Sequence, residues 1–334
     1  MSLELSYYNT AATICGKVYL EIKSKILLEF YENNVDKLDI LLLIEYGNKR
    51  IIDETNIIFK KVKDKGIASP VSISLNNCIG NYIYDYNDLS NIYNSIHEND
   101  IIKINLGVVI DGCIANLCET FTIKENKKVN KTIHFLDSLQ KSIMELFQDP
   151  DNTNDDVRML IESKCTNKDV FPIENCTSFQ QEKGLCKYDE SKYMILNYKK
   201  KYDLNDELIG LENICFEYLE NEVYTIDISV VESDCDVTYT QNENIHLYRF
   251  NDSFYGLKLK SSREFTSIIK SKHNNYLFDI NPYTKYGFGI KECVKKGILE
   301  ECPIIYVKEK LPVITKRFTI YITENDCKLL KYKL

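Results

Sequence analysis

The stretch KINLGVVIDGCIANLCETF, Lys103 to Phe121, constrains the fold more than any other part of the chain. Val108, Ile110, Ile114 and Leu117 supply the apolar positions of two strands. Asp111-Gly112 between them is a dipeptide suited to a two-residue hairpin turn, because both central positions of that turn need positive φ. Asn105 and Asn116 stand where a hairpin of this kind can aim a carboxylate at a metal, and each carries a neutral amide instead.

The flanking sequence predicts what surrounds the hairpin. Apolar residues at helical spacing (Ala12, Val18, Ile22, Ile26) predict a helix over 9–32, and a second runs from Asp36 to Lys61. Short strands follow around Pro70, with a loop at Asn76-Asn77. After the hairpin come helices at 133–147 and 154–164, the latter capped by Thr153 or Asn154 with Asp155 and Asp156 in its first turn. KYMILNY and EVYTIDISVV read as strands, 240–300 as a basic helical insert, and PIIYVKEKLPVITKRFTIYITEN as a terminal strand hairpin. Helix-helix-strands thus occurs twice, the second time with an insert, which points to an α+β fold.

With 334 residues the chain can bury a large core, and 44% hydrophobic with 28% charged residues is ordinary for a globular protein. Its twelve cysteines include no CxxC pair and are expected to be reduced and mostly buried. The start, MSLELSYYNTAATICGK, lacks the basic flank and apolar run of a signal peptide, and ILLLI at 40–44 is far too short to span a bilayer. The expectation is an intracellular, soluble protein. A net charge of −8 argues against bulk affinity for nucleic acid, but the charge is uneven. From Arg249 to Arg317 fourteen Lys or Arg face seven Asp or Glu, a balance of +7 that leaves −15 for the rest.

Several strings, in order, resemble the pita-bread fold of type 2 methionine aminopeptidases. The closer resemblance is to their non-catalytic branch, the proliferation-associated or ErbB-receptor-binding proteins. The strings are DETNIIFKKVKDKGIASPVSISLNNC (53–78), GVVIDGCIANLCETF (107–121), NEVYTIDISVV (221–231), YGLKLKSSREF (255–265), IKECVKKGILEECPIIYVKEK (290–310) and KRFTIYI (316–322). The resemblance implies one pita-bread domain over 1–334, with two pseudo-symmetric halves and the 240–300 insert within it.

Active relatives hold two metal ions with two aspartates, a histidine and two glutamates, and a further histidine overlies the site. Carried onto this chain, those positions are Asn105, Asn116, Phe179, Asp227 and Arg317, with Asn81 for the overlying histidine. One possible ligand remains of five. Divalent cations need anionic oxygens to replace lost hydration, which an amide does not supply, and Phe179 offers no lone pair. At 4 Å and an effective dielectric of 20, a guanidinium repels a dication by about 8 kcal/mol. That equals a micromolar binding energy, about 8 kcal/mol. The expectation is therefore no cofactor, no catalysis, and an Asp227–Arg317 ion pair in the former metal pocket.

Other residues offer no replacement chemistry. His97, His134, His246 and His273 form no metal-ligand spacing and read as surface or helix-end residues; Cys78 reads as a buried thiol; SSREF at 261–265 reads as a serine-capped helix start. The resemblance implies association with the large ribosomal subunit, through rRNA and tunnel-rim proteins, in subunit maturation or translation regulation, with no membrane and no small-molecule substrate. It implies a cytoplasmic location, with a nuclear or nucleolar phase open. Lys258, Lys260, Arg263, Lys270 and Lys272 are the expected phosphate contacts. Tyr255, Phe265 and Tyr276 beside them fit core packing better than base contact. Some relatives carry a long basic tail, and roles that depend on it are not expected of a sequence ending in CKLLKYKL. Two alternatives stay open: a metal-dependent methionine aminopeptidase, and a pocket that binds peptide N-termini without cleaving them.

Overall fold

The computed structural model describes residues 3–149, 151–173, 177–184, 192–197, 214–240, 245–251, 256–323 and 326–330. The first half runs α1 (Leu3–Tyr31), β1 (Lys37–Asp39), α2 (Ile40–Ile57), β2 (Lys65–Leu75), β3 (Cys78–Gly80), β4 (Ser95–His97), β5 (Ile101–Ile110) and β6 (Cys113–Thr122). The second half begins α3 (Lys127–Leu146), α4 (Asn154–Thr166), β7 (Phe171–Pro172), β8 (Thr177–Gln181), β9 (Tyr193–Ile195), β10 (Val223–Val231) and β11 (Val237–Tyr239). It continues β12 (Leu247–Phe250), α5 (Lys260–His273), β13 (Leu277–Asp279), α6 (Gly287–Lys295), β14 (Leu299–Cys302), β15 (Ile305–Val307), β16 (Ile314–Thr323) and β17 (Asp326–Leu329).

One large sheet organises the molecule, in the order β2-β5-β6-β16-β10-β8-β9, with β17 added to β16 and β7 to β10. Its faces are set by period-2 alternation. Ile102, Ile104, Leu106 and Val108 of β5 pack with Val18, Ile22 and Ile26 of α1. Ile226, Ile228 and Val230 of β10 and Phe318 and Ile320 of β16 pack with Leu136, Leu139 and Ile143 of α3. Helices therefore cover one face. The other face is buried too, yet polar: Lys103, Asn105, Asn116, Thr120, Thr225, Asp227, Ser229, Thr315 and Thr319 are each no more than 8% exposed.

The halves meet at a seam with little backbone pairing. β6 and β16 share the register pair Cys118–Arg317. Threonine side chains supply the rest: the Thr315 amide donates to Thr120 Oγ1 at 2.9 Å, and the Asn116 amide to Thr319 Oγ1 at 2.9 Å. At the hairpin tip Asp111 and Gly112 take φ of 52° and 78°, the left-handed pair that the sequence demanded.

The structure corrects several expectations. Lys37–Asp39 is a strand paired with Ser95–His97 rather than the start of a helix, and Asp39 caps α2 by accepting from the Leu41 amide at 2.7 Å. The two strands of the expected terminal hairpin, β15 and β16, lie in different sheets, and β16 pairs with β17 instead. β15 pairs with β11 and β3, while β16 enters the centre of the large sheet. The 240–300 stretch is mixed rather than helical. α5 and α6 lie with a β13-β12-β14 sheet around Phe250, Phe265, Phe278 and Cys293. Leu259, not serine, stands at the α5 N-cap, and Ser262 inside the helix donates to Glu292 at 2.5 Å. His246 is buried at 6% exposure, close to Asp85, rather than at the surface.

Candidate functional site

The centre of the polar face is a row fixed by strand register. Asn105 of β5 lies opposite Cys118 of β6, Cys118 opposite Arg317 of β16, and Arg317 opposite Asp227 of β10. Directly opposed residues share a face, so four strands bring these side chains into one line. Arg317 donates from Nε, at 2.9 Å, and from Nη2 to the same Asp227 oxygen, Oδ2, and from Nη1 to Asn105 Oδ1 at 3.0 Å. The expected Asp227–Arg317 pair is thus present, its side chains 7% and 28% exposed. Asp227 Oδ1 is buried without a hydrogen-bond partner among the described residues.

A cavity of about 60 Å³ lies over this row, lined by Asn81, Lys103, Asn105, Cys118, Asp227 and Arg317 among others. It has room for a couple of water molecules. Asn81, on the cavity wall, donates to the Pro303 carbonyl at 3.0 Å. Asn116 and Phe179 lie one row along the same face. Asn116 is opposite Gly107 and donates to Thr225 Oγ1 at 3.1 Å, and Phe179 is opposite Thr225. Gly107 makes room for that amide, since a Cβ there would stand 2.7 Å from Asn116 Oδ1.

Lys103 joins the site unannounced by the sequence reading. It is 1% exposed, and its Nζ donates to the carbonyls of Asn76 at 2.8 Å and Val313 at 3.2 Å. Burial pushes its ammonium down to about 8, against weaker support from Cys78, Cys118 and Asp100. The available signal was its phase: Lys103 is two residues from Asn105, on the same face of an otherwise apolar strand. Burial likewise pushes the Cys118 thiol up to about 12, which keeps it protonated and inert. Cys78 is fully buried, as expected. Among the described residues, no group of three or more His, Cys, Asp or Glu side chains could share a metal ion.

The expected phosphate contacts lie on α5 and the segment before it. Lys258, Lys260, Arg263, Lys270 and Lys272 are all exposed. Lys260 and Arg263 sit on one flank with Lys270, whereas Lys272 lies about 200° further round the helix. Arg263 is engaged locally, donating to the carbonyls of Leu257 at 3.1 Å and Lys258 at 2.9 Å. Phe265 and Tyr276 are core residues, 0% and 4% exposed, and Tyr276 ties the module to the body by donating to Asp64 at 2.7 Å. Tyr255 lies outside the described residues. The basic excess of the module itself is smaller than that of 249–317. Lys316 and Arg317 belong to the central sheet, and 245–302 alone carries ten basic against six acidic residues.

No protein-family model matches the chain. It is 27% identical over 319 residues to ERBB-3 binding protein 1 of Solanum tuberosum, covering 91% of this chain and 77% of that protein. It is 24% identical over 329 residues to Proliferation-associated protein A of Dictyostelium discoideum, covering 95% and 79%. Among solved structures, a thermophilic Arx1 superposes with a TM-score of 0.80 at 22% identity, over 99% of this chain and 91% of that one. A methionine aminopeptidase from Thermotoga maritima gives 0.58 at 12% identity, over 100% and 98%. The fold is the pita-bread fold, and the resemblance to the proliferation-associated and ErbB-3-binding proteins extends along nearly the whole chain.

Proposed function

We propose that this protein is a non-catalytic relative of the methionine aminopeptidases that docks on the large ribosomal subunit through its basic module, in subunit maturation or translation regulation. The observation that carries the first half is the position of the Arg317 guanidinium, between Asp227 and Asn105 on the row where metals would have to sit. A second cation, Lys103, lines the same cavity. One carboxylate, two amides and two cationic side chains are the wrong donor set for two dications, whose affinity comes from anionic oxygens. The residues present do not fit a dinuclear centre.

Docking is supported by the exposed flank of Lys258, Lys260 and Lys270 and by what the resemblance to the non-catalytic branch implies. Phosphates offer the complementary charge, and a cluster on one helix flank can meet successive phosphates of a duplex. A cytoplasmic location, with a nuclear phase during subunit assembly, is part of the same reading. Two measurements test it. Purified protein should carry less than one equivalent of cobalt, manganese or zinc and release no methionine from a Met-starting peptide. It should co-sediment with large subunits in a sucrose gradient at low salt and dissociate at high salt. Two tightly held metal equivalents with turnover would restore the aminopeptidase reading, and migration apart from subunits at low salt would remove the ribosomal one.

A further inference from the structure

The loop between β3 and β4 is built as a rigid display. Its frame is buried: Asn94 is 2% exposed and Asp85 5%. Asn94 Oδ1 accepts from the Tyr82 hydroxyl at 2.8 Å and the Asp85 amide at 2.9 Å, and Asn94 Nδ2 donates to the carbonyls of Asp85 at 2.9 Å and Asp88 at 3.1 Å. Asp85 in turn accepts from the Asn87 amide at 2.9 Å and from Asn91 Nδ2 at 3.0 Å. Asp88 accepts from the Ser90 amide at 3.0 Å. On this frame stand Tyr86, Leu89 and Ile92, exposed by 43%, 72% and 73%.

Single exposed apolar residues need no explanation. Three within seven residues, on a loop held by side-chain hydrogen bonds, do. Fixing such a loop in advance removes the ordering entropy that a flexible one loses on binding. The charge around it is negative. Asp88 is in the loop itself. Asp39 at the N-cap of α2 and Glu45 in its second turn, with Asp279, lie within electrostatic reach of Tyr86, whose phenol is pushed up first by burial and then by these carboxylates.

We propose that Tyr86, Leu89 and Ile92 form a docking tip for a basic protein segment carrying apolar side chains, the acids Asp39, Glu45 and Asp88 supplying the complementary charge. The same charges decide the class of partner. Phosphates of a nucleic acid and the headgroups of an anionic membrane are repelled by carboxylates, whereas lysine or arginine beside leucine-like side chains satisfies both features. The inference is independent of the α5 surface and of the ribosomal reading.

The test uses the full chain and a fluorescent peptide of alternating lysine and leucine, read by anisotropy. Binding should weaken as salt rises. Leu89→Ser/Ile92→Ser should weaken it about tenfold or more, the scale of a central interface contact, with an unchanged melting temperature because both side chains are exposed. Glu45→Lys should weaken it and flatten the salt dependence. Should the double variant not fold, Leu89→Asn alone gives the same reading. The proposal is overturned if the parent does not bind the peptide, or if the variants bind it equally well. It is overturned equally if a glutamate-leucine peptide or phosphatidylserine vesicles bind as tightly.

Discussion

Basic residues do opposite work in the central sheet and in the inserted module. Lys103, Lys316 and Arg317 are enclosed by strands and spend their donors inside the molecule. Lys258, Lys260 and Lys270 face solvent from α5 and the segment before it. Lys316 and Arg317 are neighbours on β16 and point to opposite faces. Lys316 Nζ meets Glu119 at 2.7 and 2.9 Å and Asp137 at 2.9 Å on the helix-covered face. Arg317 meets a single carboxylate oxygen and an amide on the polar face. The enclosed cations reach across the two halves of the sheet, and the exposed ones present their charge at the surface. A count of basic residues along the sequence merges the two.

The largest effect that separates them is expected from Lys316→Met. Its side chain is 6% exposed, and its removal strands Glu119, 18% exposed, beside the seam. Loss of one member of a buried pair costs about 3–5 kcal/mol, because the other charge remains without compensation. Burial already pushes Glu119 above the usual carboxylate range. Protonation therefore favours the fold of the variant, and the loss should shrink as pH falls from neutrality. Urea unfolding at neutral and mildly acid pH measures both; a loss under 1 kcal/mol would mean that the triad does not hold the seam.

Lys103 gives the next effect, as a pH dependence. Its folded value of about 8 lies below the ordinary 10.5. Between those values the unfolded chain binds the extra proton, so stability should rise with pH across that window, and burial of the charged form opposes folding below it. A shift of this size corresponds to about 3 kcal/mol. The stability of the parent minus that of Lys103→Met should climb by that order between pH 8 and pH 10.5. Parallel profiles would show that Lys103 is not enclosed as a cation.

The Asp227–Arg317 pair and Lys103 mark where the sequence was legible and where it was not. Asp227 and Arg317 could be foreseen as partners because each stands at a position that a sheet of this fold directs to one centre. Lys103 has the same phase as Asn105, but one lysine in KINLGVVI does not reveal whether it faces solvent or a closed cavity. Strands of three or four residues, such as β12, β13 and β14, are too short to show a period, so the module read as helical. The pairing of β15 with β3 and β11 depends on contacts more than 60 residues apart in sequence, which no local pattern carries.

Arg317→Met sharpens the contrast within the sheet. Asp227 is nearly as buried as Lys316, but Arg317 itself is 28% exposed, so water can reach part of the pair. The expected loss is roughly 2 kcal/mol, below the range for a fully enclosed pair. Arg317→Met combined with Asp227→Asn should recover part of it, because the stranded carboxylate is gone. If the double variant is no better than the single one, the cost lies in packing rather than in charge.

The smallest effect on stability, and the largest on docking, belongs to the exposed group. Lys260 reaches Glu264 at 3.6 Å with both side chains more than half exposed, and a pair of that kind contributes little. Lys258 contributes its charge at the surface, whereas Arg263 is tied to the Leu257 and Lys258 carbonyls and is a poorer choice for a clean test. Lys258→Ala/Lys260→Ala should therefore leave unfolding within about 0.5 kcal/mol of the parent. Each phosphate contact contributes about 0.7 to 0.9 to the slope of log affinity against log salt, so the pair should flatten that slope by up to roughly 1.4 to 1.8 for large subunits. A matched change of buried charge cannot produce this signature, since it alters stability and leaves the salt slope of the folded protein alone. If the double variant sediments with large subunits as tightly as the parent, with the same slope, then α5 and its approach are a solvated surface and the docking face lies elsewhere.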